Sequence, residues 1–240
     1  MSANAAEVVL SRPQVKARWT VGALSYVEDE PDDVTPPRRR PERPALRGVT
    51  LQPSRLRVGV DVPWVTSWTS EPVTGVGPCL TTPGALAVRQ SERPGFGRPV
   101  YSENHHYRQR LSVLRMLCPM CGRATATGDR WTLTARRRTA GALRAQGLGG
   151  ALPTTLADSR VLIDAGAIAP LHKACAERSA GQCPHLSADE DLDLRPFAAR
   201  WLVWPLWVEV DPPPSAPAQD LPPVAAFLQL CGVTDAHDRR

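Results

Sequence analysis

An α+β fold of short, irregular elements is predicted for this 240-residue chain, and three observations carry that reading. Apolar stretches alternate at a spacing of two in some segments and recur at helical spacing in others. Pro and Gly are plentiful (25 and 17 residues) while isoleucine occurs only at 163 and 168. Cys118 and Cys121, in Leu-Cys-Pro-Met-Cys-Gly, precede a second chelating pair, His172 and Cys175. A core this poor in bulky aliphatics needs seven Trp and a staple to hold it.

Along the chain, Val15–Val21 alternates and predicts a strand. Residues 28–47 combine acidic and basic blocks with prolines and predict an exposed, charged linker. Residues 48–101 read as an irregular β-rich region, with Leu56, Val58, Val60 and Val62 on one face of a strand. Trp64 and Trp68 flank a second extended piece. Tyr107, Leu111 and Leu114 fall at helical spacing from Ser102 to Met116, with Ser102 as the cap. Short strands at Trp131–Thr134 and Val161–Asp164 can pair as a hairpin, with a weak helix near 140–146 between them. Pro170–Ala180 predicts a helix stopped by Gly181. Arg200–Val210 is strongly apolar but contains Pro205, which predicts an edge or broken strand. Asp220–Cys231 predicts a C-terminal helix, with Asp220 as cap and Gly232 as stop. The expected organisation is an N-terminal strand segment (1–27), the linker (28–47), the β-rich region (48–101), a metal module (102–210), and a proline-rich connector with the final helix (211–240).

Cys-Pro-x-Cys-Gly is the chemistry of a zinc knuckle. Proline and glycine let the backbone turn while both sulfurs point inward, and thiolates bind zinc at ~2.3 Å. His172 and Cys175 are i and i+3 on the expected helix, hence on one face. Knuckle, hairpin, then a helix offering two ligands is a treble-clef-like order. Cys183 and His185, in Cys-Pro-His-Leu, are alternates to His172 or a partial second site. One structural zinc is therefore expected on Cys118, Cys121, His172 and Cys175, with no vacancy for water. The competing readings are buried or redox-active thiols, a surface histidine and a core cysteine. Cys79 and Cys231 read as buried small hydrophobes.

The basic residues are 27 Arg and two Lys. Residues 115–185 carry 10 basic and 4 acidic groups, and residues 186–240 carry 4 and 9. The expected metal module is thus the basic part, which fits phosphate contact through Arg115, Arg123, Arg130, Arg136, Arg137 and Arg138. DNA or RNA is one expected partner. A host or phage protein docking on the Trp201/Trp204/Trp207 segment is another. The N-terminus shows no secretory pattern and no stretch approaches ~18 apolar residues, so no membrane span is expected. Chelating cysteine pairs without secretion predict reduced thiols in a cytoplasm.

Enzymatic readings are weaker. A zinc deaminase places its Cys pair after a ligand-x-Glu element, and here Cys175-Ala-Glu177 follows the pair instead. Asn104-His105-His106 supplies residue types found in HNH-type nucleases, but precedes the knuckle. A non-enzymatic binding module is the expectation, with an interaction adaptor and an HNH-like nuclease as alternatives.

Leu117-Cys-Pro-Met-Cys-Gly-Arg123, Pro170-Leu-His-Lys-Ala-Cys-Ala176 and Gln182-Cys-Pro-His-Leu186 together resemble a group of uncharacterised zinc-binding proteins from actinobacteria and their phages. The likeness covers about a third of the chain. It implies the metal ligands and carries no activity. The arginine-rich, lysine-poor composition fits the G+C-rich genomes of such organisms.

Overall fold

A computed structural model describes residues 52–79, 81, 85–145, 152–183, 193–208 and 224–233. The strand expected at Val15–Val21, the linker 28–47 and the connector 211–223 lie outside the described residues. The fold is mixed α+β: few helices, and a six-stranded sheet organised around one long strand. In chain order come β1 (Thr66–Trp68), β2 (Val73–Pro78), β3 (Leu86–Gln90), β4 (Pro99–Asn104) and α1 (His106–Arg115). Then follow β5 (Trp131–Thr132), β6 (Arg136–Thr139), α2 (Ala140–Ala145), β7 (Val161–Gly166) and α3 (Lys173–Gln182). The last elements are β8 (Arg195–Pro196), β9 (Arg200–Val208) and β10 (Val224–Val233).

The segment expected to form the C-terminal helix is instead β10. Ala, Leu and Gln favour helices when isolated, but eight of its ten residues are buried, leaving no solvated helix face. One edge of β10 pairs antiparallel with β9 from Val224↔Val208 to Val233↔Arg200. The other edge pairs with β3 at its start and with β7 at its end. β2 and β6 extend the sheet beyond β3 and β7. Pro205 stays within a continuous nine-residue β9, which pairs with β10 on one side, so its missing N–H can face away from the ladder. The sheet draws strands from 73–90, 136–166 and 200–233, and so unites segments that composition divides.

Between its β3 and β7 pairings, β10 leaves backbone groups that no strand reaches, and α1 supplies their partners. Gln109 Nε2 donates to the Leu228 carbonyl at 2.7 Å and Gln109 Oε1 accepts the Leu228 N–H at 2.9 Å. Arg110 Nη1 donates to the Ala226 carbonyl at 2.7 Å, and Nη2 donates to Val88 of β3. Two polar side chains thus act as a surrogate strand, which is why fully buried Gln and Arg occur on this helix. Val113, Met116, Ile163, Leu228 and Leu230 pack together between helix and sheet. Leu143 of α2, Leu162, Trp204 and Cys231 form a second cluster.

Four local expectations change. Residues 57–62 form a tight turn, not a strand. Asp61 takes the Arg57 N–H, and Gly59 sits at φ +80°, which breaks the alternation and leaves Leu56 and Val60 exposed. β4 runs on to Asn104, which pairs with Thr66 of β1, so the cap of α1 lies three residues later than expected, at His105, whose Nδ1 accepts the Arg108 N–H. The strands at 131–134 and 161–164 do not pair with each other: β5 pairs with β8, and β7 lies between β6 and β10. Gly181, expected as the stop of α3, lies within its last turn. Among the described residues, no helix is long and apolar enough to cross a membrane.

Candidate metal centre

α1 ends at Met116, whose left-handed backbone (φ 49°) turns the chain directly into the knuckle. Residues 117–124 double back as a small hairpin. The Cys118 N–H donates to the Arg123 carbonyl and the Gly122 N–H to the Cys118 carbonyl, each at 2.7 Å. Gly122 takes φ +74°, and a Cβ there would lie 2.9 Å from the Trp64 indole. Only glycine fits both demands. Trp64 and Val65 donate their N–H groups to the Met120 and Pro119 carbonyls, tying the knuckle to the chain before β1.

The second pair arrives through a two-way backbone bridge. Trp131 and Leu171 exchange N–H···O bonds, both 2.8 Å, which sets His172 beside the knuckle. His172 occupies the N-cap position of α3 without using its ring as a cap. Asp129 Oδ1 accepts the Lys173 N–H at 2.8 Å in that role, leaving the imidazole free to face the thiols. Cys175 follows in the first turn.

Cys118 Sγ, Cys121 Sγ, Cys175 Sγ and one His172 ring nitrogen all lie within 4.8 Å of one another. His172 Nδ1 is 3.5 Å from Cys121 Sγ and 4.0 Å from Cys175 Sγ. Ligands ~2.3 Å from a tetrahedral centre are ~3.8 Å apart, so the group has the dimensions to hold one metal ion. His172 Nε2 lies 3.1 Å from the Ala124 carbonyl, to which it donates. That bond fixes the proton on Nε2 and turns the Nδ1 lone pair toward the sulfurs, the usual outer-sphere arrangement of a ligating histidine.

Burial pushes the Cys118 thiol up, although N–H groups of Cys121, His172 and Met120 favour its thiolate. Cys175 is pushed up to about 12 by burial and by the neighbouring Cys118 and Cys121. Three thiolates this close repel one another, and a cation among them removes the conflict as it displaces their protons. Met120, Leu133, Leu171 and Ala176 pack around Cys118, with Trp131 and Cys175 against them. Arg178 Nη2 donates to Cys175 Sγ at 3.8 Å.

Cys183 lies at the far end of α3 and is not in the four-donor group, and His185 lies outside the described residues. Of the six arginines expected to meet phosphates, Arg115, Arg123, Arg136 and Arg137 are exposed. Arg130 is half-buried, stacked 4.8 Å over Trp201 and bonded to Thr125. Arg138 pairs with Asp164 at 3.5 Å. Cys231 is buried as expected, whereas Cys79 is half-buried and receives a hydrogen bond from Arg110.

His105 and His106 are structural in position. His105 is fully buried with both ring nitrogens engaged, Nε2 toward the Ser91 carbonyl and Nδ1 on the Arg108 N–H. His106 stacks on Phe227 at 4.6 Å and meets Gln90 Oε1. Burial, and Arg108 or Arg110 alongside, lowers each ring to about 4. Spacing gave no sign of the buried ion pair beside them. Arg108 donates to both Glu71 oxygens at 2.7 and 2.8 Å, and Glu71 also accepts the Trp68 and Arg93 N–H groups.

No protein-family model, curated protein or solved structure matches the chain.

Proposed function

We propose that this protein is a non-enzymatic binding module fastened by one structural zinc ion, with a basic surface that contacts nucleic-acid phosphates. The convergence of three thiols and one oriented imidazole carries the zinc reading. Soft sulfur donors with a nitrogen favour zinc over oxygen-seeking magnesium or calcium. Four protein ligands also close the coordination sphere, which suits a structural rather than a hydrolytic ion. The knuckle-then-helix order supports a treble-clef-like arrangement, with the strand pairing between them altered. The three-part motif supports an origin among actinobacteria and their phages.

Exposed Arg115 and Arg123, which flank the knuckle, and Arg136 and Arg137 on β6 support phosphate contact. Such contact positions a nucleic acid without reading its sequence. The nuclease alternative loses support from the enclosure of His105 and His106. The adaptor alternative loses support from Trp204, which is buried in the sheet.

Elemental analysis tests the ion: one zinc per chain is expected, falling sharply in Cys118→Ser and Cys175→Ser proteins. A metal-free wild-type protein overturns the reading. Gel-shift titration tests the surface: retardation of DNA or RNA at about 50 mM salt should fade steeply as salt rises. No shift at low salt, or none lost when the four exposed arginines become Gln, removes the nucleic-acid half.

A further inference from the structure

Arg178 lies three residues beyond Cys175, hence on the same face of α3. Its Nη2 donates to Cys175 Sγ at 3.8 Å and to the Gly59 carbonyl at 3.4 Å, so one guanidinium joins the ligand helix to the turn at 57–62. Its Nε is buried without a hydrogen-bond partner. That turn closes on the knuckle: a Cβ on Gly59 would stand 3.4 Å from the Cys121 backbone. The turn's own charges, Arg57 and Asp61, already pair at 3.0 Å.

A dication held by three thiolates and a neutral imidazole leaves the centre one negative charge in excess. The sulfurs do not share it under equal conditions. Cys118 is fully buried and collects N–H groups from Met120, Cys121 and His172. Cys175 is half-buried, and the guanidinium of Arg178 is its cationic donor among the described residues.

We infer that Arg178 is the outer-sphere positioning residue that neutralises this centre and governs both ion retention and the reactivity of Cys175. The inference rests on the zinc reading above. A thiolate whose charge is drawn toward a guanidinium is a poorer nucleophile. It also stays on the metal longer, because the Gly59 bridge holds the arginine in place. Without Arg178, Cys175 is the ligand expected to leave first and to meet electrophiles.

Arg178→Met and Arg178→Lys proteins, loaded with zinc, test this with two readouts. The first is zinc loss to a chromogenic chelator. The second is iodoacetamide labelling resolved for each cysteine by mass spectrometry, where sulfur forms a bond to the acetamide carbon and iodide leaves. Arg178→Met should still take up one zinc at saturation but release it about 10–100-fold more readily. Cys175 should be labelled ahead of Cys118 and Cys121. Lysine, which keeps the charge but cannot span both acceptors, should fall between. The inference is overturned if Arg178→Met matches wild type in both readouts, if all three cysteines accelerate equally, or if lysine is no better than methionine. Zinc-free wild-type protein would sink the underlying reading instead. If Arg178→Met does not fold, Arg178→Gln against Arg178→Lys makes the same comparison, and equal behaviour of those two overturns the inference.

Discussion

On the zinc reading proposed above, withdrawing the ion should open one part of this molecule and leave the rest standing. The candidate donors sit on a small cluster of Cys118, Met120, Leu133, Leu171 and Ala176, distinct from the clusters that cover the sheet. Backbone bonds tied to it are those of Trp64, Val65, Cys118, Gly122, Trp131 and Leu171. An ion present at a thousand times its Kd stabilises the closed form by about 4.1 kcal/mol. The same factor applies to amide exchange through opening of this unit, so a strong chelator should speed exchange at those six amides by about a thousandfold. The β9–β10 ladder, sealed by Leu230, Cys231 and Trp204, should keep its protection. Hydrogen exchange read by mass spectrometry or NMR, with and without chelator, makes the comparison. Unchanged exchange at the knuckle would refute a stabilising ion. Equal loss along β9–β10 would refute the separation of metal cluster from sheet.

Other outcomes follow from single sites. Arg108→Met should lower stability by about 3–5 kcal/mol, because Glu71 is left charged and fully buried. Glu71→Leu combined with Arg108→Met should recover much of that loss in urea unfolding, and a double variant worse than the single would contradict the ion-pair account. Gly122→Ala forces φ +74° on a residue with a Cβ that meets Trp64, so thermal stability and zinc content should both fall. Trp64→Ala in the same chain should relieve part of the defect. His105 and His106 stay neutral in the folded protein down to about 4, whereas the unfolded chain protonates them near 6.5. The unfolded state therefore binds more protons across that window, and stability should fall as pH drops from about 6.5 toward 4, by at most about 1.4 kcal/mol per pH unit for each ring. Replacing His106 by Phe should flatten that slope, and since thiolate protonation affects both proteins alike, an identical slope in the variant would rule the ring out.

The four-donor cluster was legible in the sequence because its chemistry is local. A Cys-Pro-x-Cys-Gly turn carries its own geometry, down to the positive φ of Gly122, and His-x-x-Cys puts two donors within one helical turn. Spacing favoured His172 with Cys175 and kept the Cys183/His185 pair as alternates. The Trp131–Leu171 bridge, which joins residues forty apart, sets His172 and Cys175 beside the knuckle, whereas His185 lies outside the described residues. Local pattern likewise read β10 as a helix, since Val224, Phe227, Leu228 and Cys231 satisfy a helical stripe. Strands on both edges and burial on both faces made it the central strand, and the two that share its second edge, β3 and β7, are distant from it in the chain.

Charge shows the same division most plainly. The sequence by itself determined that residues 115–185 are basic and that arginine supplies nearly all of that charge. Tertiary structure alone decided that Arg108 pairs with Glu71, that Arg110 completes the edge of β10, that Arg130 covers Trp201 and that Arg178 meets Cys175. An arginine's role is set by what lies within reach of its long side chain. Those acceptors come mostly from distant segments, which only the folded chain brings together.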